Sequence, residues 1–156
     1  MIRYESCVIA VKDVELSKRF YSELLDQRVT MDLGKNVSLE GGLALQEDFA
    51  WLTDVPADSI ALRPHDMELY FEVDDFDDFC ARLRRHPDVR LVHAPKEHTW
   101  KQRVVRIYDP DGHMIEVGES MAVIARRYLA QGLTAEETAR IIQHPVSFVE
   151  ACREDE

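Results

Sequence analysis

The chain reads as an α+β protein, two paired β-α-β-β-β modules followed by a C-terminal helical extension. Three observations carry that reading. The order β-α-β-β-β occurs twice, over residues 1–48 and 65–119, with a connector at 49–64. Val-Lys-Asp-Val at 11–14 sits opposite Val-Asp-Asp-Phe at 73–76, the mark of an internal duplication. From residue 120 to 156 the apolar residues take helical spacing, so this extension belongs to neither module.

In the first module, residues 4–11 predict a strand whose centre, Cys7 to Val11, is apolar on both faces. Asp13 is placed to cap a helix over 14–26, with Leu16, Phe20 and Leu24 on its inner face. Residues 27–33, 37–40 and 43–46 predict three strands, separated by turns at Gly34-Lys35-Asn36 and Gly41-Gly42. The connector carries two prolines, Pro56 and Pro64. Its apolar residues Trp51, Leu52, Ile60 and Leu62 suit a packed segment with a short helix near 49–53.

The second module repeats the pattern. Strands are expected over 67–73, 89–95, 102–108 and 114–118. A helix capped by Asp74-Asp75 runs to about residue 85, with Phe76, Phe79 and Leu83 inward. Asp109-Pro110-Asp111-Gly112 makes the last turn: Pro110 fixes one dihedral, and Gly112 supplies a positive φ. In the extension, Gly132 ends a first helix. Thr134 to Glu137 is a capping box for a second, and Pro145 opens a third segment.

Composition bounds the function. At 156 residues and 46% hydrophobic content, one soluble domain with a real core is expected. The formal net charge of −11 argues against nucleic acid or an anionic membrane as partner. Three scattered cysteines without Cys-x-x-Cys make a disulfide framework unexpected and suit a reducing compartment. With no signal-like stretch and no spanning apolar run, a cytoplasmic location is expected.

The chemistry concentrates on the closing strand. Met114, Glu116 and Gly118 share one face, and Ile115 and Val117 the other. A carboxylate in the middle of such a strand must pair, bind a metal or face a wet cavity.

The two modules, the first-helix Ser17, Phe20 and Tyr21, the run Trp100-Lys101-Gln102-Arg103 and the closing Asp-Pro-Asp-Gly-His-Met-Ile-Glu-Val together resemble the vicinal oxygen chelate superfamily. That group includes glyoxalase I, bleomycin- and fosfomycin-resistance proteins, epimerases and extradiol dioxygenases. The run at 100–103 has Lys where a Gly is common, and the resemblance stops near residue 119.

The resemblance implies an open cup-like sheet and a divalent metal that polarises vicinal oxygens of a substrate. The corresponding ligand places fall on Ser6, Gln46, Glu68 and Glu116. Glu116, Glu68 and Gln46 would hold the ion. Lacking histidine, such a set suits Mg or Mn better than Zn. Glu116 or Glu68 would act as base on a proton next to a carbonyl, and Tyr70, Trp100, Arg103 and His98 would contact the substrate.

Two functions follow as expectations. One is a glyoxalase-like lyase or isomerase with a divalent ion. The other is a metal-free small-molecule-binding protein of the bleomycin-resistance type, taking a cationic or aromatic ligand. A homodimer is expected in either case. The residues also allow plainer roles. Glu68 and Glu116 can pair with Arg103 or Arg106, Trp100 can pack in a core, and His113 suits a surface turn.

Overall fold

The computed structural model of the chain describes residues 2–61 and 65–154. Leu62 and Pro64 of the connector lie outside the described residues. Contacts divide the protein into two compact units, residues 1–67 with 108–114, and residues 68–107 with 115–156. No described helix is long and apolar enough to cross a membrane.

The first unit holds β1 (Cys7–Ala10), α1 (Val14–Leu25), β2 (Val29–Asp32), β3 (Asn36–Leu39), β4 (Leu43–Gln46) and α2 (Phe49–Thr53). Its sheet runs β1-β4-β3-β2, with β1 parallel to β4 and the other pairs antiparallel. β1 is shorter than the predicted 4–11, because its ladder to β4 extends only from Cys7↔Leu43 to Ala10↔Gln46. Ile9, Val37, Leu39 and Leu45 are buried core residues of the sheet.

α1 starts where Asp13 accepts the Leu16 N–H at 2.9 Å, as expected of an N-cap. Its buried face differs from the predicted one. Val14, Ser17, Tyr21, Leu24 and Leu25 are buried, whereas Leu16 is 43% exposed. The helix is turned so that Tyr21, not Leu16, reaches the interior, and there its hydroxyl donates to Asp109 Oδ2 at 3.0 Å.

Asp109 organises the turn at 108–114. Its Oδ1 accepts the N–H groups of Asp111, Gly112 and His113 at 3.0, 2.8 and 2.8 Å. Gly112 has φ +96°, the left-handed conformation that the sequence required of it. His113 is not a free surface residue: its Nδ1 lies 2.7 Å from Asp109 Oδ2, and its side chain is only 13% exposed.

The second unit contains β5 (Leu69–Val73), α3 (Phe76–Leu83), β6 (Leu91–Glu97), β7 (Arg103–Tyr108) and β8 (Met114–Glu119); β7 and β8 run into the turn just described. The sheet order is β5-β8-β7-β6, with β5 parallel to β8. This is the first sheet's order again, element for element, so the duplication extends to strand pairing. Asp75 caps α3 by accepting the Asp78 N–H, and Phe76, Phe79 and Leu83 are buried as predicted. β6 continues to Glu97, two residues past its expected end at Pro95. It is an edge strand with an irregular register between His93 and Lys96, a setting that tolerates a proline without a donor.

The extension belongs to the same unit. It forms α4 (Met121–Ala130), α5 (Ala135–Ile142) and α6 (Val146–Glu154). The Thr134–Glu137 capping box is present in both directions, at 3.1 and 2.9 Å. Met121, Ile124, Ala139, Ile142 and Val149 form a buried cluster, and Trp100 from the β6–β7 loop packs against it.

The buried Asp109 acceptor sets a rank order of stability. Tyr21→Phe is expected to cost about 1 kcal/mol, the usual net worth of one hydrogen bond. Asp109→Ala should cost more, because it orphans the Tyr21 hydroxyl and the three backbone donors together. Urea midpoints of the two variants test this, and equal midpoints would show that the carboxylate does not hold the turn.

Candidate functional site

Glu116 sits mid-strand on β8 and is 6% exposed. Its register partner on β5 is Tyr70. Strand alternation sets Glu116, Tyr70 and Gly118 on one face of the second sheet, while Ile115 and Val117 are fully buried on the other. Glu68 lies just before β5 on the same side as Tyr70.

The two carboxylates converge on one cation. Arg106 of β7 donates from Nε to Glu68 Oε2 at 2.7 Å and from Nη2 to Glu68 Oε1 at 3.4 Å. The same Nη2 forms an ion pair with Glu116 Oε2. His93 Nε2 is 3.3 Å from Nη1. Every nitrogen of the guanidinium is therefore engaged. Burial pushes the Glu116 carboxyl above its ordinary range. Arg106 pulls it back, and Glu68 adds to the rise.

Beside this group Tyr70 stays half exposed, at 50%. Its hydroxyl donates to Glu72 Oε1 at 2.7 Å and accepts from Gln102 Nε2 at 2.7 Å. Burial, followed by the bond to Glu72, raises its pKa to about 12, so at neutral pH it is an uncharged phenol. His98 stacks on Trp100 with ring centroids 4.1 Å apart. Its Nε2 is buried with no hydrogen-bond partner. Burial, then Lys96 and Arg106, lower its pKa and favour the neutral ring.

Arg103 does not join them. It is three residues from Arg106 on one strand and so points to the opposite face. There it binds Asp77 at 3.0 and 3.1 Å and Glu119 at 3.0 and 3.1 Å, with its guanidinium 5.1 Å from the Phe76 ring centre. Trp100 is engaged by the helical extension, and its Nε1 donates to Gln102. In the first unit, Gln46 is 4% exposed and its Oε1 accepts from Asn36 Nδ2 at 2.8 Å. Ser6 is exposed and precedes β1.

Arg106 is the residue missing from the expected site, although the sequence reading named it as one pairing partner for the two glutamates. Its presence bears on the metal. A divalent ion between Glu68 and Glu116 would occupy space that the guanidinium fills, and the two cations would repel. Among the described residues, no group of three or more His, Cys, Asp or Glu is arranged to hold an ion. As arranged, the pair does not fit a divalent metal.

Removing Arg106 should expose this balance. Arg106→Met leaves Glu116 buried without its cation, a change that typically costs about 3–5 kcal/mol. The raised Glu116 carboxyl binds its proton more tightly in the folded state than in the unfolded one. Stability is therefore greatest below the ordinary value of 4.5, falls as pH rises from there through the folded value, and is regained on acidification. Without Arg106 the folded value climbs further, and that window widens. Urea unfolding from pH 4.5 to 8 should show the variant losing most at the alkaline end. A pH-independent loss would contradict the pairing.

Residues 4–122 match the family of glyoxalase-like domains. No curated protein matches the chain. A protein of unknown function from Agrobacterium tumefaciens is 36% identical over 78% of this chain and 96% of its own, with a TM-score of 0.67. A glyoxalase/bleomycin resistance protein/dioxygenase from Nocardioides is 22% identical, covering 76% and 83% at TM-score 0.59. A family enzyme of the same description from Burkholderia phytofirmans is 15% identical, covering 76% and 98% at TM-score 0.65. The last two share the fold. With the duplicated sheet order and a family match over most of its length, the chain belongs to the glyoxalase-like domain family of the vicinal oxygen chelate superfamily.

Proposed function

We propose that the protein binds a small organic molecule without a metal, in the manner of the bleomycin-resistance branch, on the Glu116 face of the second sheet. One observation carries this reading: the two carboxylates best suited to a metal are both paired with Arg106, Glu68 by hydrogen bonds and Glu116 by charge. Arg106 offsets one of their two charges from inside the protein, in the place an ion would take. Tyr70 supplies an exposed aromatic edge and an uncharged hydroxyl beside them. The formal net charge of −11 favours a cationic ligand.

A second reading is favoured by one feature. Burial raises the Glu116 carboxyl, as suits a group that takes a proton from carbon next to a carbonyl and returns it. On that reading the protein is a glyoxalase-like lyase or isomerase. Glu116 would be its acid and base, and Arg106 would hold the carboxylate in place.

Thermal shift separates these readings from the metal-dependent one. In EDTA, a member of a panel of cationic aromatic compounds should raise the melting temperature, and without chelator Mg, Mn, Ni or Zn ions should not. Stabilisation by a divalent ion in wild type, lost in Glu116→Gln, would overturn the metal-free proposal. A hundredfold excess over Kd corresponds to about 2.7 kcal/mol, a shift easily read. Turnover of a bound compound, abolished by Glu116→Gln while binding survives, would favour the enzyme.

A further inference from the structure

The family match ends at residue 122, and no role is attached to the helices beyond it. Those helices pack against Trp100, from which a directed chain of hydrogen bonds runs to the ligand face. Trp100 packs against the buried cluster of the extension, Met121, Ile124 and Ile142 among its members. Its Nε1 donates to Gln102 Oε1 at 2.9 Å. Gln102, 4% exposed, donates from Nε2 to the Tyr70 hydroxyl at 2.7 Å and to the Glu119 carbonyl at 3.1 Å. The Tyr70 hydroxyl donates in turn to Glu72 at 2.7 Å.

The direction of this chain is fixed at both ends. An indole N–H can only donate, so it holds the amide oxygen of Gln102 toward Trp100. A backbone carbonyl can only accept, so Glu119 holds the amide nitrogen on the other side. The Tyr70 oxygen must then accept from Gln102, and its own proton goes to Glu72. Gly118 leaves the space this needs, since a Cβ there would lie 2.6 Å from Gln102 Nε2.

Resting on the ligand-face reading above, we infer that the helical extension positions the Tyr70 hydroxyl, with Trp100 and Gln102 as positioning residues, and presents it to the ligand as a hydrogen-bond acceptor. The ligand class follows from the proton count. Tyr70 has given its only proton to Glu72 and keeps one lone pair. It therefore selects a molecule with an N–H or O–H group at that point, most favourably a cationic amine or guanidine beside the Glu72 carboxylate.

The test needs no ligand. Among the five tyrosines, the Tyr70 Cζ resonance of protein labelled with carbon-13 tyrosine is assigned by its loss in Tyr70→Phe. Trp100→Phe keeps an aromatic ring in the contact and removes the N–H with the rest of the pyrrole ring. The Tyr70 resonance should shift in this variant and in Gln102→Leu. The double variant should shift no further than Gln102→Leu alone. Ile142→Ala, which loosens the extension's core but leaves the chain of bonds intact in sequence, should shift it in the same direction. An unmoved resonance in Trp100→Phe or Ile142→Ala, or additive shifts in the double variant, would overturn the inference. Shifts as expected, with no compound bound by the wild type, would leave the coupling standing and remove the ligand-face reading instead.

Discussion

Glu116 lies in the middle of a buried strand, and the cost of taking its charge out of water governs the second unit. An isolated carboxylate would not stay ionised there. Arg106 meets it from the neighbouring strand, and the same guanidinium satisfies Glu68. Both glutamates depend on this one cation, and its removal would take the partner from both. The face built on them is an internally paired floor with one carboxylate charge in excess, and Tyr70 and Glu72 lie exposed beside it.

The opposite face of the same sheet uses the same physics for a different end. Glu119, almost fully buried, is shared by Arg103 of β7 and Arg127 of α4, which hold its carboxyl below its ordinary range against the effect of burial. This ties the extension to the sheet by charge, while Trp100 ties it by packing. One arginine-paired glutamate on β8 thus lies on the Tyr70 face, and its neighbour three residues on ties the helices to the sheet.

Much of this was legible in the sequence, because it is local. The N-caps at Asp13 and Asp75, the Thr134 capping box, the Gly112 turn and the two-module order follow from spacing within a few residues. The placement of Glu116 and Tyr70 on one face follows from strand parity. The choice between Arg103 and Arg106 does not. Arg-Val-Val-Arg-Ile-Tyr is apolar on both faces, so its pattern does not say which arginine faces which side. The inner face of α1 was misjudged for a related reason. Leu16 looks more apolar than Tyr21, but the hydroxyl of Tyr21 has a buried acceptor 88 residues away that no local pattern shows. The relay from Trp100 to Tyr70 likewise joins a loop to a strand some thirty residues earlier and is visible only in three dimensions.

The path of the chain also bears on how the protein can be divided. The backbone leaves the first unit after residue 67, returns for 108–114 and leaves again. No single cut separates the units. A fragment ending at residue 67 would carry Tyr21 into a truncated interior without Asp109, its buried acceptor. The complementary fragment would keep the turn but lose the helix that the turn serves. Tandem duplication suggests two pieces that could each stand alone, yet the borrowed hairpin tip makes the first module depend on synthesis of the second. The newly made amino-terminal half must therefore wait, incomplete, until some forty further residues have emerged.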